Sequence, residues 1–170
     1  MNLSKALLIE GWMEPAELTW LAQQAALHKI IVEIGSFKGR STRALADNTK
    51  GLVIAIDDFQ GPREIELTDR ENILNRFNDN LSDRTNVVVI NCNHRDIPQP
   101  DFRPDMVFID GAHEYEAVLA DIDFWTPFIA PGGLICGHDY GWASGVDRAV
   151  NERFPKAEIA QRTSIWFQQL

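Results

Sequence analysis

The sequence predicts one α/β domain with a mostly parallel sheet that is covered by helices on both faces. Short β-branched runs alternate along the chain with segments in which apolar residues recur at helical spacing. Strand–helix–strand units of this kind form parallel sheets, because the connecting helix packs against a face of the sheet. The chain has 170 residues, which fits one domain, and we find no repeat, linker or low-complexity tract.

The first half of the chain predicts two helices and two strands. A helix begins near Pro15, since proline favours the first turn and the acids beside it favour the positive helix end. Apolar residues on one face follow as far as Ala25. The pattern then predicts a strand over 30–34 that Gly35 ends, a helix over 40–48, and a strand over 52–56 that Asp57 ends.

The second half continues the alternation. Helices are predicted over 73–81, 114–128 and 146–154, and Pro155 stops the last one. Strands are predicted over 87–90, 106–109 and 134–136, with two short strands near 157–160 and 164–168. The polar stretch 59–70 is left unassigned.

Composition and charge restrict the classes of partner. The formal net charge is −9, and the densest basic group is only Lys38, Arg40 and Arg43, beside a glycine-containing loop. Such a chain disfavours nucleic acid, so we expect a neutral or cationic small molecule as substrate. Cys92 and Cys136 lack metal-finger spacing and are expected to be buried, reduced thiols. No segment approaches the ~20 apolar residues of a membrane span, so we expect a cytoplasmic protein without a membrane partner.

Small or acidic residues follow four of the predicted strands, and this convergence predicts a binding site. In an open parallel sheet, ligands bind at the carboxyl ends of the strands. A solvated loop explains any one acid, but not acids at successive strand ends. The residues concerned are Gly35 and Ser36, Asp57, Asp110 and Gly111, and His138 and Asp139.

The loop after the first strand and the acid after the second fit a nucleoside ligand. Gly35 and Gly39 are spaced as GxxxG, and the free N–H groups of a helix follow them. A tight strand-to-helix turn is the alternative. The spacing differs from the GxGxxG of nicotinamide-binding proteins, which speaks against a nicotinamide-dependent oxidoreductase. Asp57 lies where a carboxylate accepts hydrogen bonds from both ribose hydroxyls.

Three segments resemble motifs of a known family. Residues 32–42 (VEIGSFKGRST) resemble the first motif of class I S-adenosylmethionine-dependent methyltransferases. Residues 108–115 (FIDGAHEY) and 131–140 (PGGLICGHDY) resemble the fourth- and fifth-strand motifs of one branch of that family. This branch contains catechol O-methyltransferase-like and antibiotic-sugar O-methyltransferases. The resemblance covers roughly residues 11–154, and the three motifs in this order are more specific than any one alone.

The resemblance implies a doubly wound, Rossmann-like sheet of seven strands in the order 3-2-1-4-5-7-6, with the last strand antiparallel. It implies S-adenosylmethionine as cofactor and methylation of a hydroxyl on a small molecule such as a sugar or a phenol. By this resemblance, Glu33 holds the glycine loop or the amino group of the cofactor, Asp57 holds its ribose, and Asn93 contacts its adenine. The residues implied to bind the cofactor are Glu33, Gly35, Ser36, Phe37, Gly39, Ser41, Asp57, Asp58, Asn93 and Asp110.

Four polar residues after the fourth and fifth strands are candidates for the chemistry: Asp110, His113, His138 and Asp139. Some relatives hold a divalent metal at the positions of Asp110, His138 and Asp139, so a divalent metal, Mg or Mn, is the second cofactor that the resemblance implies here. His138 departs from the oxygen ligands that magnesium prefers, since imidazole suits softer metals better. It is therefore a ligand of a different metal, a base without metal, or a structural residue. His113 is a second candidate base, with helix capping or surface exposure as its alternative.

The walls of a substrate pocket are expected in the loops 59–69 and 140–145. Trp142 lies in the second loop, with a place in the core or in a dimer contact as the alternative. A homodimer is left open. Two other functions also remain as alternatives: a non-catalytic nucleoside-binding protein, and a metal-dependent hydrolase or hydroxylase that uses Asp110, His138 and Asp139.

Overall fold

The order of the strands places the polar strand ends at one edge of a seven-stranded sheet. The computed structural model describes residues 1–61, 72–93 and 96–170. Strand β7 is antiparallel to both of its neighbours, and the other pairs are parallel. The order is β3-β2-β1-β4-β5-β7-β6, as predicted. The strands are β1 Ile30–Ile34, β2 Leu52–Asp57, β3 Val87–Asn91, β4 Met106–Ile109, β5 Leu134–Gly137, β6 Glu158–Ile159 and β7 Trp166–Gln169.

The α-helices of the described ranges are α1 Pro15–Ala25, α2 Arg40–Asn48, α3 Ile73–Leu81, α4 Tyr115–Trp125 and α5 Ser144–Arg153. The helix predicted over 114–128 is shorter than expected, because α4 stops at Trp125 and Thr126–Phe128 form a 3-10 turn. Pro127 explains the change, since proline lacks an N–H and its ring clashes with the preceding turn. None of these helices has both the length and the apolar character that crossing a bilayer requires.

Apolar helix faces cover both sides of the sheet. On one side, residues of α1 and α2 such as Leu21 and Leu45 share a core with Ile31 and Phe108 of the strands. On the other side, α4 and α5 pack with the alternate strand residues: Val118, Ile122, Val146 and Val150 share a core with Val32, Ile54, Val107 and Ile135. The central strands are thus buried on both faces, which explains why they are continuous apolar runs.

The carboxyl ends of the central strands are level with one another. Ile34, the last residue of β1, pairs with Ile56 of β2 and Ile109 of β4, and Ile109 pairs with Gly137 of β5. The chain runs outward from β1 to β3 on one side and outward from β4 on the other, so the strand order reverses between β1 and β4. Ligands of doubly wound folds bind beyond the strand ends at such a reversal.

The basic residues near the glycine loop are used inside the fold. Lys38 is 3% exposed, and its Nζ lies 2.7 Å from Glu10 Oε1. Arg40 Nε donates to the carbonyl of Met13 at 3.0 Å, and Arg43 is buried between acids. These cations tie α2 to its neighbours, so they do not form a free basic surface.

The two cysteines differ in burial. Cys136 in β5 is buried, as predicted, whereas Cys92 is only half-buried. Cys92 directly follows β3, which is an edge strand with a neighbour on one side only, and this explains why its thiol is less covered.

Candidate functional site

The loop between β1 and α2 lies against the ends of both neighbouring strands. Gly35 has φ +87°, and its N–H donates to the carbonyl of Ile56 in β2 at 2.9 Å. A Cβ at Gly35 would lie 2.1 Å from the backbone oxygen of Asp110, after β4. Both the left-handed backbone and this close approach require glycine. Gly35 therefore joins the ends of β1, β2 and β4 in one place.

Glu33 is a fully buried acid beneath this loop. Its Oε2 accepts hydrogen bonds from Ser36 Oγ at 2.9 Å and from Thr42 Oγ1, which fixes the turn between strand and helix. No hydrogen bond from the described residues reaches Oε1, although the atom is buried. Burial raises the pKa of Glu33 to about 7, against the opposing effect of the hydroxyls of Ser41, Thr42 and Ser36. A buried, unpaired carboxylate oxygen is costly, so it is an acceptor that suits a ligand.

Asp57 is held directly beside the glycine loop. Its Oδ2 accepts from the N–H of Phe37 at 2.8 Å, and its Oδ1 accepts from the N–H of Phe59 at 2.5 Å. Burial raises the pKa of Asp57, and these two N–H donors oppose that effect. Each carboxylate oxygen has a second lone pair that further donors can use. The carboxylate of Asp57 thus lies against the loop that begins at Gly35.

The remaining predicted cofactor residues lie around this centre. Asn93 Nδ2 donates to Asp58 Oδ2 at 3.2 Å, so these side chains meet beyond the ends of β2 and β3. Ser41 is buried in the first turn of α2, near Glu33. Gly39 has φ +88°, and a Cβ there would lie 2.4 Å from Leu81. The left-handed backbone is therefore a sufficient reason for glycine at that position, with the close packing on α3 in addition.

The two loop phenylalanines have different environments. Phe59 is 4% exposed and packs edge-on against Phe77, with ring centres 5.3 Å apart. Its ring is therefore part of a core that it shares with α3. Phe37 lies against Trp12, with ring centres 4.9 Å apart, and its backbone N–H rather than its ring faces Asp57.

An acid–histidine cluster follows β4 and β5. His138 is buried, and its Nδ1 lies 3.4 Å from Asp110 Oδ1 and 3.3 Å from Asp139 Oδ1. Its Nε2 lies 2.9 Å from Glu17 Oε2, an ion-pair distance at an angle too bent for a good hydrogen bond. Burial lowers the pKa of His138, but the three carboxylates outweigh it and raise the pKa far above its ordinary value. His138 is thus a buried cation surrounded by acids.

His113 is the exposed member of the cluster. Its Nε2 lies 2.9 Å from Asp139 Oδ2, and its side chain is 56% exposed. The contact with Asp139 raises the pKa of His113. Burial raises the pKa of Asp110, although its contact with His138 opposes that effect. The structure therefore brings together all four residues that the sequence proposed for the chemistry: Asp110, His113, His138 and Asp139.

Two residues that support this cluster, Glu17 and Ser164, were not predicted. Glu17 is 5% exposed in α1, and its Oε1 accepts from the N–H and Oγ of Ser164 at 3.0 and 2.8 Å. From the sequence we expected only that the acids at the start of α1 interact favourably with the positive end of the helix. The available signal was the position of Glu17 one helical turn before Leu21, which puts a carboxylate on the buried face.

The donor set for a divalent ion also differs in part from the predicted one. Asp110, His113 and Asp139 each offer a ligand atom, and these atoms lie within 4.8 Å of one another. His138, the third predicted ligand, is instead held by Glu17 on one side and by the two acids on the other. Two carboxylates and one imidazole suit manganese, iron or zinc better than magnesium.

Trp142 is the most exposed large side chain near the cluster. It is 84% exposed, and its backbone N–H donates to the carbonyl of Asp139 at 3.1 Å. A place in the core of this chain is therefore excluded, whereas roles as pocket wall or dimer contact stay predictions. Most of the other predicted wall, the loop 59–69, lies outside the described residues, which omit 62–71. His28, which follows α1, has Nδ1 2.7 Å from the carbonyl oxygen of Gln24.

Comparison with known families identifies the chain. A family model described as methyltransferase domain matches residues 32–140, which is more than half of the sequence. The chain belongs to the methyltransferase domain family. The matched range contains the glycine loop of this methyltransferase domain, Asp57 and the acid–histidine cluster, but excludes Glu17 and Ser164. The predicted membership of the methyltransferases is thus confirmed.

One sequence relative is a viral protein. An uncharacterized protein R132 of Acanthamoeba polyphaga mimivirus is 30% identical over 128 residues. The match covers 71% of this methyltransferase domain and 57% of the viral protein. The chain thus spans little more than half the length of that relative.

Solved structures share the fold of this methyltransferase domain at low identity. The tRNA (m1A58) methyltransferase TrmI of Aquifex aeolicus has a TM-score of 0.73 at 14% identity, covering 99% of this chain and 76% of TrmI. A SAM-dependent O-methyltransferase of Thermotoga maritima has a TM-score of 0.71 at 14% identity, with coverage of 98% and 70%. The O-methyltransferase TomG of Streptomyces achromogenes, solved with SAM, has a TM-score of 0.64 at 16% identity, with coverage of 92% and 79%.

Proposed function

We propose that the protein is an S-adenosylmethionine-dependent methyltransferase that acts on a hydroxyl of a small molecule such as a sugar or a phenol. The observation that carries this proposal is the junction at Gly35. There the glycine loop, which lies over Glu33, approaches the backbone of Asp110. The N–H of Phe37 in the same loop donates a hydrogen bond to Asp57. The proposed cofactor site would thereby lie next to the acid–histidine cluster, as transfer between two bound molecules requires.

The residues around Gly35 fit the cofactor. S-adenosylmethionine, when bound, supplies a methyl group that its sulfonium has already activated. The free lone pairs of Asp57 would accept the ribose hydroxyls, in charge-assisted hydrogen bonds. The unpaired, buried Oε1 of Glu33 would accept from the cationic amino group. Asp58 and Asn93, which meet beyond the next strand, would bound the adenine side.

His113 is the general base of the proposed reaction. Asp139 holds its Nε2, which leaves Nδ1 to take the proton of an acceptor hydroxyl. His138 is less suited, because it is buried and both of its ring nitrogens face carboxylates. The acids around the base and the net charge of −9 favour a neutral or cationic acceptor.

Calorimetric titration with S-adenosylhomocysteine tests the cofactor site. We expect one molecule to bind and Asp57→Asn to weaken binding by at least tenfold, at about 1.4 kcal/mol per tenfold. Asp58→Asn is the matched control, since it changes the neighbouring acid with a smaller expected loss. Binding of NAD(H) in place of S-adenosylhomocysteine would support the oxidoreductase instead. Cofactor binding without turnover on any sugar or phenol would support a non-catalytic nucleoside-binding protein.

A divalent ion at Asp110, His113 and Asp139 is the second candidate, because their ligand atoms lie within 4.8 Å of one another. Such an ion would lower the pKa of an acceptor hydroxyl, and His113 would then be a ligand rather than the base. Titration with Mn²⁺ and Mg²⁺, with and without S-adenosylhomocysteine, tests this alternative. Tight Mn²⁺ binding that Asp139→Asn abolishes would favour the ion. Metal binding that does not depend on the cofactor would favour a hydrolase or hydroxylase.

A further inference from the structure

The carboxylate of Glu17 is the most firmly held acid next to the cluster. Its Oε1 accepts from the N–H and Oγ of Ser164 at 3.0 and 2.8 Å. Its Oε2 accepts from the N–H of Glu14 at 2.8 Å, at the start of α1. Donors on both oxygens, from two separate parts of the chain, prevent the carboxylate from rotating. Glu17 thus offers His138 a fixed point of attachment.

The ring of His138 connects Glu17 to the other residues of the cluster. The Nε2 of His138 lies 2.9 Å from Glu17 Oε2. The two nitrogens of an imidazole lie on different edges of a rigid ring, so an ion pair that holds Nε2 in place limits where Nδ1 can lie. Nδ1 lies 3.4 Å from Asp110 and 3.3 Å from Asp139. Asp139 in turn contacts His113 at 2.9 Å, which completes a connected path from Glu17 to His113.

We propose that Glu17 is a positioning residue of the methyl-transfer site. It holds Nε2 of His138, keeps Nδ1 between Asp110 and Asp139, and through Asp139 aligns His113. This inference rests on the proposed function, because there His113 is the base. A carboxylate that orients an imidazole is a recurring device in catalytic sites. Glu17 itself touches neither cofactor nor acceptor.

A purely structural ion pair would tie α1 to the end of β5 without serving the site. The two roles predict different effects when the charge of Glu17 is removed. Loss of a structural pair changes only the stability of the fold. Loss of a positioning residue also changes the environment of His113, although Glu17 and His113 do not touch.

The test compares Glu17→Gln with Ser164→Ala. Glu17→Gln keeps the size of the side chain and removes the charge that faces His138. Ser164→Ala removes one hydrogen bond to the same carboxylate and leaves its contact with His138 in place. The ring nitrogen NMR signals of His113 and His138 are recorded in ¹⁵N-histidine-labelled protein, with His113→Asn and His138→Asn to assign them. S-adenosylhomocysteine affinity and melting temperature are measured in parallel.

Glu17→Gln is expected to shift the ring signals of both histidines. It should leave the affinity for S-adenosylhomocysteine within about twofold of wild type, because the contacts of Glu17 are with Glu14, Ser164 and His138 and not with the residues proposed to bind the cofactor. With an acceptor that the enzyme methylates, kcat should fall while KM for the cofactor is kept. Ser164→Ala should lower the melting temperature and move the histidine signals less than Glu17→Gln does, because the N–H of Ser164 still donates to Oε1 of Glu17.

The proposal is overturned if Glu17→Gln leaves the signals of His113 unchanged, or if Ser164→Ala moves them as far as Glu17→Gln does. Should Glu17→Gln fail to fold, the same comparison is made with Glu17→Asp, whose shorter reach breaks the contact but keeps the charge. Wild-type protein that binds no S-adenosylhomocysteine would refute the proposed function. The histidine signals would then still decide whether Glu17 orients the cluster.

Discussion

At the scale of single residues, the buried acids of the site differ in the state in which the fold holds them. Glu33 is shielded from water and has one unpaired oxygen, so burial raises its pKa to about 7. Glu17 is also buried, but the contact with His138 and the N–H donors outweigh burial and lower its pKa to about 2. Glu33 therefore changes charge near neutral pH, whereas Glu17 stays ionised.

The raised pKa of Glu33 predicts that cofactor binding depends on pH. If the ionised carboxylate accepts the amino group, affinity should rise as pH rises through about 7. Between pH 6 and pH 8 the affinity for S-adenosylhomocysteine should increase about tenfold, by linkage to one ionising group. Calorimetry across this range checks the prediction. Glu33→Gln should bind more weakly and lose the dependence, and a variant that keeps it would assign the ionisation elsewhere.

His113 and Asp139 are expected to affect turnover and not cofactor binding. Removal of a general base lowers the rate by typically ~10²–10⁴-fold. His113→Asn should show a loss in this range with an acceptor of the enzyme, and Asp139→Asn a similar loss. The affinity of both variants for S-adenosylhomocysteine should stay near that of wild type. A fully active Asp139→Asn would remove Asp139 from the chemistry.

At the scale of elements, the loop between β1 and α2 depends on Gly35 for its course. Gly35→Ala adds a Cβ 2.1 Å from the backbone of Asp110 in a left-handed conformation. Gly141→Ala is the matched control, since Gly141 has φ +84° but nothing within 4 Å of its added Cβ. The conformation alone costs about 1–2 kcal/mol, so we expect a loss of that size for Gly141→Ala. Urea unfolding should show a clearly larger loss for Gly35→Ala, and equal losses would contradict the close approach.

The elements themselves were largely predictable, because local signals define them. β1, α2 and β4 begin and end where the sequence predicted, since each strand is a β-branched run that a glycine or an acid ends. The 3-10 turn after α4 was missed because the apolar spacing runs through Pro127. The support of His138 was missed because Glu17 and Ser164 lie far from it along the chain. Contacts between residues so far apart along the chain produce no regular spacing in the sequence, so a pattern cannot predict them.

At the scale of the whole molecule, the contribution of Glu17 to the free energy of unfolding should decrease at acidic pH. The lowered pKa of Glu17 means that the folded state releases its proton more readily than the unfolded chain, where the pKa is near 4.5. The contribution of Glu17 is therefore present above that pH and is lost as pH falls toward 2. Melting curves from pH 7 to pH 2 should show a difference between wild type and Glu17→Gln that narrows in acid. A constant difference would contradict the shift.

The ends of the chain matter for how this protein could be divided. Glu17 precedes the family core of residues 32–140, and Ser164 comes after it. The hydrogen bonds from Ser164 to the Glu17 carboxylate join these two parts of the chain next to the buried ring of His138. The segments outside that core also supply α1, α5, β6 and β7, which complete and cover the sheet, so a fragment trimmed to residues 32–140 would lose its fold as well as this support. We therefore expect substitutions at Glu17 or Ser164 in the full chain, and not truncation, to change the rate without altering what is bound.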